Sequence, residues 1–184
     1  MRGIIFTTFT DFMEYEFGYD ILDKILLERD YPNMGGFSSG ANYGIEYLYH
    51  IVNDSSKYFN GGSEELLYLF GKYAFRSLVL RFRKIYQNKN PFLLVDSAFD
   101  FIINLNDLHF EELYKLYPNA KFPRFDIVKE NNSIELVYSS PLQLHYLVKG
   151  LLQGCLDFFE DSSTVSMIIS EDNKKSTFYI KKEV

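Results

Sequence analysis

Apolar residues recur three and four positions apart through much of residues 10–90, the spacing that gathers them on one face of a helix. Phe12 and Tyr15 mark this over residues 11–17, and Ile21, Leu22, Ile25 and Leu26 mark it over residues 19–29. Residues 31–44 break the pattern, where Pro32, Gly35, Gly36, Gly40 and Gly44 predict a loop. Residues 45–58 read as the next helix, which stops at Asn60-Gly61-Gly62. Ser63 is then placed to cap a longer helix, with Glu64 and Glu65 in its first turn, running through Phe70, Phe75 and Leu80.

After Pro91 the texture changes. Residues 93–116 read as one long helix or two abutting ones, closed by Tyr117-Pro118-Asn119. Residues 125–129 and 133–139 alternate as strands do, joined at Glu130-Asn131-Asn132. Residues 142–160 form another amphipathic helix. Residues 164–170 and 176–182 predict a hairpin around Glu171-Asp172-Asn173-Lys174. The expected class is α+β in a single domain over 1–184, with a helical subdomain over 1–62 and an α+β subdomain over 63–184. At 184 residues, one domain can bury a sizeable core and still enclose a cavity.

Composition sharpens this. The 18 Phe and 15 Tyr, without any Trp, supply large flat apolar surfaces. These suit either a Phe-rich core or the lining of an apolar ligand site. The net charge of −6 argues against nucleic acid or an anionic membrane surface as a partner, since both need a basic footprint. A single cysteine, Cys155, excludes an internal disulfide framework and a Cys-rich zinc site. The opening turns polar too soon for a secretory signal, and no apolar run approaches the roughly 20 residues of a membrane span. A soluble, cytoplasmic protein is expected.

Motifs for catalysis are not found. The sequence has no glycine-rich phosphate loop, no HExxH and no Gly-x-Ser-x-Gly elbow. His50, His109 and His145 are far apart and lack the Cys or carboxylate neighbours of a metal cluster. Glu64-Glu65 and Glu111-Glu112 sit where a solvated helix face would put them. An enzyme reading therefore has no nucleophile–base pair to rest on.

Six segments, in order, carry a resemblance. They are Met1-Arg2-Gly3-Ile4-Ile5-Phe6, Phe70-Gly71-Lys72-Tyr73-Ala74-Phe75, the stretch from Phe101 through Leu105 and Leu108 to His109, Tyr117-Pro118-Asn119-Ala120 with Pro123 and Phe125, Tyr138-Ser139-Ser140, and Gly150-Leu151-Leu152-Gln153-Gly154. Together they resemble the heme-nitric oxide/oxygen-binding (H-NOX) family along nearly the whole chain. Two departures stand out. Leu142 occupies the place of the arginine in the family's Y-x-S-x-R heme-propionate motif, and one residue more than in many relatives separates His109 from Tyr117. A slip by that residue would put Phe110 in the pocket in place of His109.

The resemblance implies a helical N-terminal subdomain packed on a C-terminal subdomain with an antiparallel sheet, and a heme pocket between them. His109 is then the iron ligand of heme b. Tyr138 and Ser140 hold the propionates, and Pro123 touches the heme face. Ile5, Phe9, Ala74, Leu78, Leu147 and Leu151 match pocket-lining positions. Leu147 stands where oxygen-binding members have a tyrosine hydroxyl, so the pocket is expected to favour NO, and CO, over dioxygen. In this family NO binding breaks the histidine bond and shifts the two halves of the domain. The implied receiver is a partner protein such as a histidine kinase or a cyclic-dinucleotide enzyme. The alternative is a heme-free domain of the same fold that binds another apolar ligand or serves as a protein-interaction module.

Overall fold

A computed structural model describes residues 1–87, 89–116 and 123–182. The expected closure at Tyr117-Pro118-Asn119 lies outside these residues. Four helices open the chain: α1 (Gly3–Phe17), α2 (Tyr19–Leu27), α3 (Ile45–Ser55) and α4 (Gly62–Ile85). Helix α1 begins well before the apolar stripe that predicted it. Thr7, Thr8 and Thr10 hide its first turns from a propensity reading, because hydroxyl-bearing β-branched residues compete with the helical backbone. Here their hydroxyls bond back into the helix, with Thr8 Oγ1 donating to the Ile4 carbonyl at 2.7 Å and Thr10 Oγ1 to Thr7 at 2.9 Å. Ser63 does not cap α4, whose N-cap position is Gly61.

The expected long helix over 93–116 is broken into pieces. Ser97 caps α5 (Ala98–Ile103), its Oγ accepting from the Asp100 amide at 3.1 Å. Short helical turns α6 (Leu105–Asp107) and α7 (Tyr114–Leu116) flank a wider π-helical turn over Leu108–Leu113. Strands β1 (Arg124–Glu130) and β2 (Ser133–Ser139) precede α8 (His145–Phe158), and β3 (Thr164–Ile169) and β4 (Lys175–Lys181) follow it. The sheet is antiparallel with order β1-β2-β4-β3. Leu136 pairs with Ile127 on one side and Phe178 on the other. Helix α8 starts later than predicted because residues 140–144 turn before it.

Helices α4 and α8 meet nearly backbone to backbone. A Cβ on Gly71 would lie 2.5 Å from the Leu147 carbonyl oxygen, and one on Gly150 only 2.1 Å from that of Tyr68. Glycine at both positions is what lets the helices approach this closely. Two cores form on either side of this pair. Phe6, Phe9, Phe12, Phe70 and Ala74 belong to the N-terminal core, while Phe75, Val79, Phe101, Leu136 and Phe178 belong to the sheet-side core. The division therefore runs along α4 itself. Ile5, Leu78 and Leu151 pack against both cores and mark the seam between them.

Candidate functional site

At that seam lies a cavity of about 690 Å³. That volume is in the range of sites that bury a sizeable organic ligand. Its helical wall includes Ile5 of α1, Leu78 of α4, and Leu147 and Leu151 of α8. Phe101, Leu105, Leu108 and His109 form a second wall, and Pro123, Phe125 and Tyr138 a third. Residues 139–142 complete one part of the rim, and Met1 and Arg2 another.

His109 sits in the first turn of the π-helical segment. Its Nδ1 lies 2.8 Å from the Leu105 carbonyl oxygen, which can only accept, so Nδ1 carries the proton and Nε2 the lone pair. The ring packs against Phe125, with centroids 6.0 Å apart. Burial pushes its pKa down to about 4, a shift that the bond to Leu105 opposes. The imidazole is therefore neutral near pH 7 and suited to bind a metal.

The π-helical turn explains why the extra residue does not displace this histidine. A π turn holds one residue more per turn than an α turn, so it accommodates an insertion without shifting the helix on either side. Phe110 falls outside the cavity wall and is 42% exposed. Asn106, which the sequence reading passed over, fixes the segment to the sheet. Its side chain donates to the Phe125 carbonyl at 2.7 Å and accepts from the Phe125 amide at 3.1 Å. A single polar residue on a helical turn carries no sequence signal for such a clamp.

Tyr138 is buried and stacks loosely on Phe125, with centroids 5.9 Å apart. Burial raises its phenol pKa, partly offset by hydrogen bonding with Ser140 and the Leu144 backbone. Ser140 Oγ accepts from the Leu142 amide at 3.1 Å, and its hydroxyl is hydrogen-bonded to Tyr138. Leu142 lines the cavity with an apolar side chain. These two hydroxyls are placed to hold an anionic group, and Leu142 is not.

His145 is a different kind of histidine. Its Nε2 lies 2.9 Å from the Asn173 carbonyl and its Nδ1 3.0 Å from Ser176 Oγ, so in the neutral form the first donates and the second accepts. Both nitrogens are spent joining α8 to the β3–β4 hairpin.

Two expected lining residues do not line the cavity. Phe9 packs on Phe12 and Phe70, with centroids 6.1 and 4.9 Å away, inside the N-terminal core. Ala74 lies in the same core. Each is one helical turn from a residue that does line the cavity, Ile5 and Leu78 respectively, and the cavity ends within that turn. The sequence reading missed Arg2, Phe125 and Leu142 as lining residues. A charged residue beside a chain terminus normally reads as surface.

Among the described lining residues, the helical wall offers no hydroxyl or amide donor. Tyr146 lies off the cavity, its phenol bonded to Glu64. Tyr73 packs against Phe12 and Tyr15 instead. Cys155 lines the cavity, its thiol pKa raised by burial. No group of three or more His, Cys, Asp or Glu that could hold a metal ion occurs among the described residues. A metal here would need most of its ligands from an organic cofactor. An apolar cavity, one neutral imidazole and paired hydroxyls fit a porphyrin with its iron and carboxylates. No helix among the described residues is long and apolar enough to cross a membrane.

Residues 2–167 match a protein family described as Haem-NO-binding. No curated protein matches the chain in sequence. Among solved structures, the chain is similar to the H-NOX from Shewanella woodyi in the Fe(II)CO ligation state, with 28% identity and a TM-score of 0.80 over 100% of this chain and 95% of that one. An Fe(II) unliganded H-NOX mutant from K. algicida shares 25% identity at a TM-score of 0.83, covering 100% and 97%. The H-NOX protein from S. oneidensis in the Fe(II)NO state, at 23% identity, shares the fold with a TM-score of 0.85 over 100% of both chains.

Proposed function

The chain belongs to the Haem-NO-binding (H-NOX) family of heme-based gas sensors, and from that premise we propose that it senses nitric oxide through heme b bound at His109. The observation that carries this reading is a neutral imidazole, with its lone pair on Nε2, in the wall of an otherwise apolar cavity. When bound, heme supplies the iron at which a diatomic gas docks. The protein supplies everything else. The Leu105 carbonyl orients His109, and Asn106 holds that turn on the sheet. Tyr138 and Ser140 hold the propionates by donating hydrogen bonds, and Pro123 meets the macrocycle face. Ile5, Leu78, Leu147 and Leu151 exclude water.

The gas preference follows from what Leu147 lacks. Dioxygen gains most from a hydrogen-bond donor on the gas side, whereas NO and CO depend on one much less. We assign no catalytic role to the chain. Its output passes to a partner such as a histidine kinase or a cyclic-dinucleotide enzyme, in the cytoplasm, where the lone cysteine fits a reducing compartment. Because Ile5, Leu78 and Leu151 touch both cores, a change of ligand state is felt on both sides of the seam.

Visible spectroscopy of the purified ferrous protein tests this. A Soret band that shifts with NO, and no stable oxygenated spectrum in air, is the expected result. A persistent oxygenated spectrum would overturn the gas preference. Absence of any Soret band after reconstitution would favour the heme-free reading, whose support is Leu142.

A further inference from the structure

We infer that Arg2 supplies the cation that Leu142 lacks, neutralising a heme propionate from the N-terminal side of the cavity. The inference rests on the heme reading above. Among the described residues lining the cavity, Arg2 is the sole lysine or arginine. Arg76 is exposed on α4 and does not line the cavity.

Arg2 is also fixed in place. Its Nη2 donates to the Gly40 carbonyl at 2.8 Å and its Nη1 to Asn42 Oδ1 at 3.2 Å. Both acceptors are neutral, so these bonds hold the guanidinium without themselves offsetting its charge. Two links bring this end of the chain toward the hydroxyl pair. The backbone bridges Arg2 to Asn42, and the Tyr43 amide donates to the Met1 carbonyl at 2.9 Å. A few residues on, the Tyr49 hydroxyl on α3 donates to the Leu142 carbonyl, and Tyr49 is close enough to Tyr138 for the two phenols to interact electrostatically. The segment 42–49 thus carries Arg2 on one side and the Ser140–Leu142 turn on the other.

A guanidinium keeps its charge at any ordinary pH and meets a carboxylate with two parallel donors, which is what the family's motif arginine contributes. In this chain the duty is moved from the β2–α8 turn to the N-terminus.

The test uses the full chain reconstituted with hemin or with hemin dimethyl ester, whose propionates carry no charge. Transfer of porphyrin to a high-affinity scavenger is timed for wild type, Arg2→Gln, Asn42→Ala and Arg2→Gln combined with Leu142→Arg. Arg2→Gln should release hemin about tenfold faster, the effect of losing one charge-assisted hydrogen bond. It should release the ester at the wild-type rate, and the added Leu142→Arg should restore hemin retention. Asn42→Ala removes one of the two bonds that hold the guanidinium but keeps the charge, so it should speed hemin release less than Arg2→Gln does. Hemin release from Arg2→Gln at the wild-type rate would overturn the inference. So would equal acceleration for hemin and ester, or an Asn42→Ala release as fast as that of Arg2→Gln, since either makes Arg2 merely a loop brace. A wild type that takes up neither porphyrin would instead defeat the heme reading, and this inference with it.

Discussion

The π-helical turn that carries His109 and the 139–145 turn that carries Ser140 and Leu142 each depart from the family pattern, and the protein handles the departures differently. At the first, an added residue is absorbed by backbone hydrogen bonding, so His109 keeps its place on the cavity wall while Phe110 turns outward. At the second, a lost guanidinium leaves an apolar side chain that no local rearrangement makes cationic. A change in chain length can be repaired where it occurs. A change in charge has to be repaired by another residue brought to the same cavity, which is the duty assigned above to Arg2.

The contrast extends to the two histidines of these regions. His109 lies in the cavity wall with its Nδ1 directed by a backbone carbonyl, while His145 lies off the cavity with both nitrogens engaged in structural bonds. His145→Leu should therefore act on stability and not on the heme. It orphans the Ser176 hydroxyl and the Asn173 carbonyl, at a cost of about 1–3 kcal/mol. Chemical denaturation of the apoprotein measures this, and a lost Soret band in the refolded holoprotein would reverse the assignment of the two histidines.

Restoring the motif cation sharpens the comparison from the other side. Because Arg2 already carries that charge, Leu142→Arg alone should leave hemin transfer to a scavenger nearly unchanged, and a slowing of about tenfold, the value of one charged hydrogen bond, would break the assignment. An unchanged rate would mean that the cavity's own cation already satisfies the propionates.

A further effect is expected from pH. The lowered pKa of His109 means that the unfolded chain takes up its proton first as pH falls. Its contribution to apoprotein stability is thus complete above the unfolded value near 6.5 and declines as pH falls toward about 4. Denaturation midpoints of apo wild type and His109→Leu should converge or cross in that window. Parallel curves would show that His109 is not buried as described.

Much of this was legible in the sequence. The alternation over residues 125–139 gave both strands and their pairing within a residue or two, because side chains on a half-buried sheet face must alternate. The start of α1 was not legible, since Thr7, Thr8 and Thr10 suppress the propensity signal while bonding into the helix. Nor was the π turn, because a 3.6-residue period contains no cue for a single wider turn. At the site, the family resemblance placed Phe9 and Ala74 with Ile5 and Leu78 among the pocket-lining positions. A resemblance does not say where this cavity stops, and both residues fall outside its lining.

The central claim is that His109 holds the iron, and imidazole rescue tests it most directly. His109→Ala, expressed with heme supplied, should purify nearly colourless, and millimolar-range imidazole in the growth medium should restore a Soret band because the free base fills the vacated volume. His145→Leu, treated alike, should bind heme without imidazole. A His109→Ala protein that retained the wild-type spectrum with no imidazole present would contradict the account.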